Sequence, residues 1–372
     1  MIPPVPDHRR ARLLDPDHPP RSILVIQHWG IGDLLMTTPM LRALHDALPR
    51  TRIEVMLGLT AAAEVLQGAS YVQVRGIMRR QSGLGKLVRF FLGLRASRYD
   101  VAVMATRVSP RMGQMAHYVA GIPVVVGDGF GTRPRGYAAW RSVNPLQHRV
   151  EGNLDIARML VDVPAIPPTR IEITPASAQA AERRWRELAL ADLPVVAVHP
   201  GSSNVTASER RIPESLLQAT IAGVLQASPA NRVLVVLGPD ELELAPRFEG
   251  LDARVSLLTG ATLQECAWIL GRCALLVAGD SGLGHVASAV GTPVVTLAGP
   301  TQTMATRPWG DRTTVLRTRE AVPCMPCYDT PLYGNCPYEV KCLTTIRASD
   351  VLQAIHATLH TGRHPAAVLP PG

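Results

Sequence analysis

Aromatic residues are scarce in this sequence. They make up 4% of its 372 residues, too few for a surface that stacks many bases or sugars. Long apolar runs are also missing, since no stretch reaches the ~18 consecutive apolar residues of a membrane-spanning helix. Residues 1–20 hold six prolines and lack the apolar core of a secretory signal, which predicts a disordered leader. We expect a cytoplasmic protein, with peripheral contact to the inner face of the membrane as an alternative.

The length suits two domains of ~150–190 residues each. Apolar runs alternate with helical patterns, which is typical of α/β proteins with parallel sheets. Nine runs are predicted as strands: Ser22–Gln27, Arg52–Leu57, Val101–Ala105, Val124–Gly127, Val195–His199, Arg232–Gly238, Val255–Thr259, Leu275–Ala278 and Val294–Leu297.

A segment with three prolines and no long apolar period, residues 166–177, separates the two series of strands and predicts a linker. We therefore expect one Rossmann-like domain at 21–165 and a second at 178–346. A C-terminal helix and tail follow at 347–372.

Acidic residues are nearly absent from one segment. Between Tyr71 and Arg111, only Asp100 opposes nine basic residues: Arg75, Arg79, Arg80, Lys86, Arg89, Arg95, Arg98, Arg107 and Arg111. A solvated helix face usually mixes its charges, so this segment favours a surface that faces anions. The formal net charge of the whole chain is +8. That total has two interpretations, attraction to phosphates or the arginine preference of a GC-rich genome.

The first loop of interest follows the first predicted strand. Ligands of open parallel sheets bind at the carboxyl ends of the strands, and Gly30-Ile31-Gly32-Asp33 lies at such an end. Its glycines allow the backbone to approach a ligand closely. A helix follows, which places Asp33 at or near a helix N-terminus, where a carboxylate is stabilised. Two interpretations are open, a capping carboxylate without chemistry and a catalytic group. The loop is only a weak match to the Gly-x-Gly-x-x-Gly of dinucleotide sites.

Two further loops end strands in the second half. His199-Pro200-Gly201-Ser202-Ser203 offers amides and hydroxyls that suit a phosphate, or it is an ordinary turn. Gly279-Asp280-Ser281-Gly282-Leu283-Gly284-His285 precedes a helix whose free N-terminal amides favour a pyrophosphate. In that loop, Asp280 is suited to accept hydrogen bonds from sugar hydroxyls. His285, taken alone, is interpreted as a structural histidine.

Together these loops resemble the ADP-heptose:lipopolysaccharide heptosyltransferase family, glycosyltransferase family 9. The motifs occur in the order of the family and span roughly residues 22–346. The resemblance rests on Gly30-Ile31-Gly32-Asp33 with Thr37-Thr38-Pro39-Met40-Leu41, on His199-Pro200-Gly201-Ser202-Ser203, on the Gly279–His285 loop, on Gly291-Thr292-Pro293 and on Gly299-Pro300-Thr301.

This resemblance implies an α/β fold of the GT-B type, in which two Rossmann-like domains face a central cleft with their parallel sheets. It also implies inverting transfer of a heptose from ADP-heptose to an acidic acceptor such as the lipopolysaccharide core. The resemblance implies that catalysis requires no cofactor. Nucleic-acid binding is not expected, because the basic residues are not interleaved with aromatic ones. Asp33 matches the general base of the family, and Glu241 matches an acidic residue near the nucleoside ribose. The positions at which the family binds its donor correspond here to Ser202, Ser203, Arg210, Glu241, Asp280, Ser281, Gly282, Leu283 and His285.

Two features of the chain bear on the donor and the acceptor. The family usually has Lys-x-Trp-Pro where this chain has Arg210-Arg211-Ile212-Pro213, so Arg210 keeps the charge but not the shape of the lysine. In GT-B enzymes the N-terminal half usually receives the acceptor. The basic segment therefore predicts contacts from Arg79, Arg80 and Lys86 with a phosphorylated or carboxylated acceptor.

The six cysteines fall into two groups. Cys266 and Cys273 are expected to be small core residues, whereas the other four cluster as Cys324-x2-Cys327-x8-Cys336-x5-Cys342. Such a cluster suits a structural zinc or iron ion. Alternatively, the thiols are reduced or paired and stabilise a loop. Some relatives of the family bind iron through cysteines with a different spacing.

Three functions remain open at this point. The first is heptose transfer to lipopolysaccharide core. The second keeps the fold and the donor class but has a protein, a capsule or a small natural product as acceptor. The third is a nucleotide-binding module without transferase activity, and the retention of both Asp33 and Asp280 argues against it.

Overall fold

The computed structural model describes residues 13–15, 17–78, 83–190, 193–201 and 208–361. The chain divides into two compact units, residues 1–167 and 168–372. Most of the predicted leader and the tail beyond residue 361 lie outside the described residues. Within the described ranges, no helix combines the length and the apolar character needed to cross a membrane.

The first unit contains a parallel sheet of six strands in the order β3-β2-β1-β4-β5-β6, which is the Rossmann strand order. Its strands are β1 Ser22–Gln27, β2 Arg52–Leu57, β3 Gln73–Ile77, β4 Val101–Met104, β5 Val124–Gly129 and β6 Ala139–Ser142. Its helices are α1 Ile31–Leu35, α2 Thr38–Ala47, α3 Ala63–Leu66, α4 Leu84–Leu94, α5 Pro110–Tyr118 and α6 Arg149–Ala157.

The second unit repeats this topology with the order β9-β8-β7-β10-β11-β12. Its strands are β7 Val195–His199, β8 Arg232–Val236, β9 Val255–Leu258, β10 Leu275–Gly279, β11 Val294–Leu297 and β12 Thr313–Leu316. Its helices are α7 Pro175–Glu187, α8 Glu214–Ala227, α9 Leu263–Leu270, α10 Gly282–Ala289, α11 Thr303–Thr306, α12 Lys341–Thr344 and α13 Ala348–Thr361. Helix α7 begins inside the segment predicted as a linker, and the side chain of Thr174 accepts from the N–H of Ser177 at 3.3 Å to cap it.

The central strands form because their residues are apolar on both faces. In β1, the four residues Ile23 to Ile26 are 0% exposed, as expected for a parallel strand covered by helices on both sides. The predicted α/β fold with two parallel sheets is confirmed, and all nine predicted strands are present within two residues of their expected ends.

Three strands were not predicted: β3, β6 and β12. Each lies at the edge of its sheet, where a strand has one neighbour and needs no continuous apolar run. In β3, four of five residues are exposed, so its sequence carries little of the pattern on which strand prediction depends.

Candidate active site

Asp33 lies in the first turn of α1, directly after the carboxyl end of β1. Its carboxylate forms an ion pair with Arg149, in which the guanidinium Nη1 donates to Oδ1. The side chains of Arg149 and Asp33 are 17% and 21% exposed. No other hydrogen bond reaches this carboxylate from the part of the chain that the structure describes. Oδ2 of Asp33 is therefore left to accept a hydrogen bond or a proton from a ligand.

Polar side chains fix the backbone around Asp33. Thr37 donates from Oγ1 to the carbonyl of Asp33 at 2.8 Å. Gln27 donates from Nε2 to the same carbonyl at 3.3 Å and to Thr37 Oγ1 at 3.1 Å. Asn153 of α6 donates from Nδ2 to the carbonyl of Met36 at 3.1 Å. The turns after β1 are thereby tied to α6.

Arg149 was not predicted as a site residue. It is the first residue of α6, which His148 caps by accepting from the N–H of Val150 at 3.2 Å. It lies 116 positions after Asp33, and no local motif marks it. Only the packing of α6 against α2 reveals the pair.

A buried carboxylate, Asp128, lies near the carboxyl end of β5. It accepts from Thr106 Oγ1 at 2.5 Å and from the N–H of Arg107 at 2.9 Å, and Arg141 approaches it at 3.6 Å. Burial raises the pKa of Asp128, while these hydrogen bonds and Arg141 oppose that shift. Arg107 has a φ of +63°, in the left-handed region. We assign Asp128 to holding the loop after β4 rather than to chemistry.

The sharpest candidate for anion binding is the loop between β10 and α10. Asp280 and Ser281 are only 8% and 7% exposed, and Ser281 is the N-cap residue of α10. Among the described residues, the Oγ of Ser281 has no hydrogen-bond partner. The first N–H groups of a helix also have no partner within the helix. Together they make a set of donors that suits a phosphate or diphosphate.

Two arginines lie at this loop. Arg210 donates from Nε to the carbonyl of Asp280 at 3.1 Å, and its Nη2 donates to the same oxygen. Arg317 interacts electrostatically with Asp280 and donates to the carbonyl of Thr301 at 2.6 Å. The sequence predicted Arg210 but not Arg317. Arg317 directly follows β12, an edge strand that was itself missed, so recognition of that strand would have placed it.

The structure describes only some of the other residues that were predicted to contact the donor. His285 is 6% exposed, and Gly282 and Leu283 are half-buried in the first turn of α10. Ser202 and Ser203 lie outside the described residues, so their predicted phosphate contacts stay predictions.

Glu241 is 2% exposed and accepts from the N–H of Gly238 at 2.8 Å, which caps the short helix after β8. A Cβ at Gly201 would lie 2.5 Å from Glu241, so the loop after β7 needs a glycine for this close approach. Burial lowers the pKa of neighbouring His199, although the charge of Glu241 opposes the shift. The carboxylate of Glu241 thus has a structural partner, and its predicted role near a ribose stays a prediction.

Three of the four clustered cysteines lie on the loop between β12 and α12, and Cys342 lies in α12 itself. All four are free thiols. The N–H of Cys327 donates to the carbonyl of Pro300 at 2.9 Å, and Glu209 accepts from the N–H of Cys336 at 2.8 Å. Burial and the neighbouring thiols raise the pKa of Cys327 to about 11 and that of Cys342 to about 12. Within the described ranges, no group of three or more His, Cys, Asp or Glu side chains is placed to hold a metal ion.

The structure describes only part of the basic segment between Tyr71 and Arg111. Arg79 and Arg80 lie outside the described residues, whereas Lys86 is exposed in the first turn of α4. The same helix exposes two apolar side chains, Leu84 at 71% and Leu92 at 47%. The predicted acceptor contacts of this segment stay predictions.

The chain is similar to several known proteins. It is 26% identical to lipopolysaccharide heptosyltransferase 3 of Escherichia coli over 297 residues, which cover 75% of this chain and 84% of that protein. The glycosyl transferase family 9 structure from Veillonella parvula has a TM-score of 0.76 at 21% identity and covers 94% of this chain and 99% of that one. The E. coli heptosyltransferase WaaC, solved with ADP-2-deoxy-2-fluoro heptose, has a TM-score of 0.63 at 20% identity and covers 90% and 99%.

These solved structures show that the fold is of the GT-B type, as the resemblance implied. Residues 87–333, about two thirds of the chain, match glycosyltransferase family 9 (heptosyltransferase). The family expected from the loop motifs is therefore confirmed. The chain belongs to glycosyltransferase family 9 and is a glycosyltransferase of the heptosyltransferase group.

Proposed function

We propose that this chain is an inverting heptosyltransferase that moves a heptose from ADP-heptose to an acidic acceptor such as the lipopolysaccharide core. The name of its E. coli relative supports a heptose as the sugar and lipopolysaccharide as the acceptor. The WaaC structure contains ADP-2-deoxy-2-fluoro heptose, which supports ADP-heptose as the donor.

The observation that carries the proposal is the arrangement at the N-terminus of α10. The unpartnered hydroxyl of Ser281, the first amides of α10 and the guanidinium of Arg210 supply donors and positive charge for a diphosphate. Arg210 uses two of its nitrogens on the carbonyl of Asp280, and a guanidinium has five N–H donors in all. A phosphate repels a carboxylate, so Asp280 is assigned to the hydroxyls of the heptose.

Asp33 is assigned as the general base. A sugar hydroxyl is a poor nucleophile at neutral pH, and a carboxylate within hydrogen-bond reach takes its proton as the new bond forms. Oδ1 of Asp33 is occupied by Arg149, so Oδ2 receives the proton. The acceptor oxygen bonds to the anomeric carbon while the bond from that carbon to ADP breaks, and the electron pair of that bond passes to the diphosphate.

The amides of α10 and the guanidinium of Arg210 stabilise the charge that develops on the leaving diphosphate. A single displacement on the face opposite the leaving group inverts the anomeric carbon, so a β-linked donor gives an α-linked product. No step draws on a cofactor.

On this proposal, residues 21–165 form the acceptor domain and residues 178–346 the nucleotide-sugar domain. The exposed Lys86, with Arg79 and Arg80, is assigned to the acidic groups of the acceptor, and nucleic acid has no part. The helix α4 carries basic residues and exposed leucines. This combination suits a cytoplasmic protein that works at the inner face of the membrane, where the acyl chains of lipopolysaccharide precursors are anchored.

The structural zinc or iron ion predicted from the cysteine spacing would use the thiolates of Cys324, Cys327, Cys336 and Cys342. In the described residues these thiols do not form a metal-binding group. The alternative is that the thiols are reduced and pack the loop against Pro300 and Glu209.

A donor screen followed by product analysis tests the proposal. Calorimetry compares ADP-heptose with UDP-glucose and GDP-mannose, and mass spectrometry then examines a truncated lipopolysaccharide core incubated with the tightest donor. We expect ADP-heptose to bind tightest and the core to gain one heptosyl residue. Transfer to a protein, a capsule fragment or a small natural product alone would replace the acceptor, and binding without transfer to any acceptor would contradict the proposal.

A further inference from the structure

The position of the Arg149 side chain is not explained by a contribution to the stability of the fold. Its Nη1 donates to Oδ1 of Asp33. Its Nε, by contrast, is buried and has no hydrogen-bond partner among the described residues. A buried donor without a partner destabilises a fold. The side chain is therefore held beside Asp33 at a cost in stability, a pattern typical of functional sites.

The backbone that carries Arg149 is fixed with respect to Asp33. Asn153 lies one turn further along α6, on the same helix face as Arg149, and is 1% exposed. It accepts from the N–H of Thr106 at 2.9 Å and donates to the carbonyl of Met36 at 3.1 Å. These bonds tie α6 both to the end of β4 and to the turn that follows α1. The backbone at Arg149 is consequently fixed in position relative to Asp33.

The ion pair with Arg149 makes the two carboxylate oxygens of Asp33 different from one another. A carboxylate rotates readily about its last torsion, so an unpaired Asp33 would present either oxygen in many directions. With Oδ1 bound to Arg149, only Oδ2 remains for a substrate. Misplacement of a reacting group by about 1 Å lowers turnover about 100-fold.

We propose that Arg149 is the positioning residue of the general base: it holds Oδ1 of Asp33 and so directs Oδ2 at the acceptor hydroxyl. This assignment rests on the proposed function, because it needs Asp33 to act as the base. Arg149 takes no proton and touches no substrate in this role. It acts through Asp33 alone, and that dependence gives the test.

The experiment measures kcat and both KM values for the full-length enzyme with ADP-heptose and a truncated core acceptor. The variants are Arg149→Gln, Arg149→Lys, Asp33→Asn and the double variant Arg149→Gln with Asp33→Asn. Arg158→Gln is the matched control, because Arg158 caps the other end of α6 and pairs with Asp155 at 2.7 Å. Thermal unfolding checks that each variant is folded.

We expect Arg149→Gln to lower kcat by about 10- to 100-fold while the KM of the donor stays within twofold. Arg149→Lys should recover part of the loss, and Arg158→Gln should match the wild type. In the Asp33→Asn background, Arg149→Gln should change kcat no further, because the group that it positions is gone.

Wild-type kcat in Arg149→Gln would overturn the assignment and leave the proposed function intact. An equal loss in the wild-type and Asp33→Asn backgrounds would also overturn it, since it would show a structural role. If Arg149→Gln does not fold, a partial loss of kcat in Arg149→Lys that disappears in the double variant Arg149→Lys with Asp33→Asn supports positioning, whereas the same loss in both backgrounds overturns it. A wild-type enzyme that transfers no sugar would overturn the proposed function and this assignment together.

Discussion

The guanidinium of Arg210 holds the main-chain carbonyl of Asp280, 70 positions further along the chain, through two of its nitrogens. Tyr328 of the cysteine-containing loop lies against the same guanidinium, 5.1 Å from its carbon to the ring centroid. Arg210 thus joins the segment after β7, the loop before α10 and the cysteine-containing loop. A lysine forms neither the two-nitrogen contact nor the planar stacking. This geometry explains why an arginine is suited to a position where the family motif usually has lysine.

Arg210 binds the main-chain carbonyl of Asp280 and not its carboxylate, which we assign to a hydroxyl of the donor sugar. Asp280→Ala should weaken ADP-heptose about 10- to 150-fold, as expected for the loss of a charge-assisted hydrogen bond of ~1.5–3 kcal/mol. Bare ADP should bind nearly as before. Calorimetry with both ligands measures the difference. Asp311→Ala removes an exposed carboxylate of the same unit and serves as the control. Equal losses for the two ligands would mean that Asp280 only shapes the loop.

Asp33→Asn should lower kcat by ~10²–10⁴ and leave the affinity for ADP-heptose nearly unchanged, because an amide cannot take the proton of the acceptor. Steady-state kinetics and donor calorimetry measure the two effects. Asp46→Asn is the matched control, since Asp46 is an exposed carboxylate on α2 that pairs with Arg42 at 2.9 Å. Wild-type turnover in Asp33→Asn would remove Asp33 from the mechanism.

The fold was predictable where the chain is buried. The strand β1 is apolar throughout and 0% exposed from Ile23 to Ile26, so its sequence pattern is strong. The edge strand β3 is mostly exposed and keeps no such pattern. Burial on both faces restricts the residues of a parallel strand, whereas an edge strand tolerates polar ones.

The candidate site was predictable where its residues follow predicted strands. Asp33 and Asp280 lie directly after β1 and β10, within a few residues of glycines that mark the loops. Arg149 and Arg317 were missed because tertiary packing brings Arg149 to Asp33 and Arg317 to Asp280, and Arg317 follows a missed edge strand. Glu241 was predicted from its match to the family. The hydrogen bond that its carboxylate accepts from the N–H of Gly238 could not be recognised from sequence alone.

Acceptor affinity should depend on salt more than donor affinity does. The charge of Lys86 is exposed, and such charges are screened over ~8 Å at physiological ionic strength. We therefore expect the KM of the acceptor to rise with salt while the KM of the donor rises less. Lys86→Ser should raise the acceptor KM by about 1.5- to 5-fold, and further replacement of Arg79 and Arg80 by Ser should add to it. Arg186→Ser, on the 71% exposed Arg186 of α7, is the control. An acceptor KM that responds to neither change would indicate a neutral acceptor.

The clustered thiols should differ in reactivity. Burial raises the pKa of Cys327 to about 11 and of Cys342 to about 12, so less than ~1% of either is thiolate at pH 8 and alkylation is slow. The half-buried Cys324 and Cys336 should be alkylated first. Peptide mass spectrometry after iodoacetamide treatment measures the order, and elemental analysis of chelator-free protein measures bound metal. One equivalent of zinc or iron, with all four thiols protected until a chelator is added, would contradict the reduced-thiol interpretation.

The most direct test of the account is the anomeric configuration of the product. The enzyme is incubated with β-configured ADP-heptose and a truncated lipopolysaccharide core, and the purified product is examined by NMR. The account predicts one new heptosyl residue with an α linkage, formed together with one equivalent of ADP and made ~10²–10⁴-fold more slowly when Asp33→Asn replaces the wild type. A β-linked heptose, or ADP release without any new linkage to the core, would contradict inverting transfer to this acceptor.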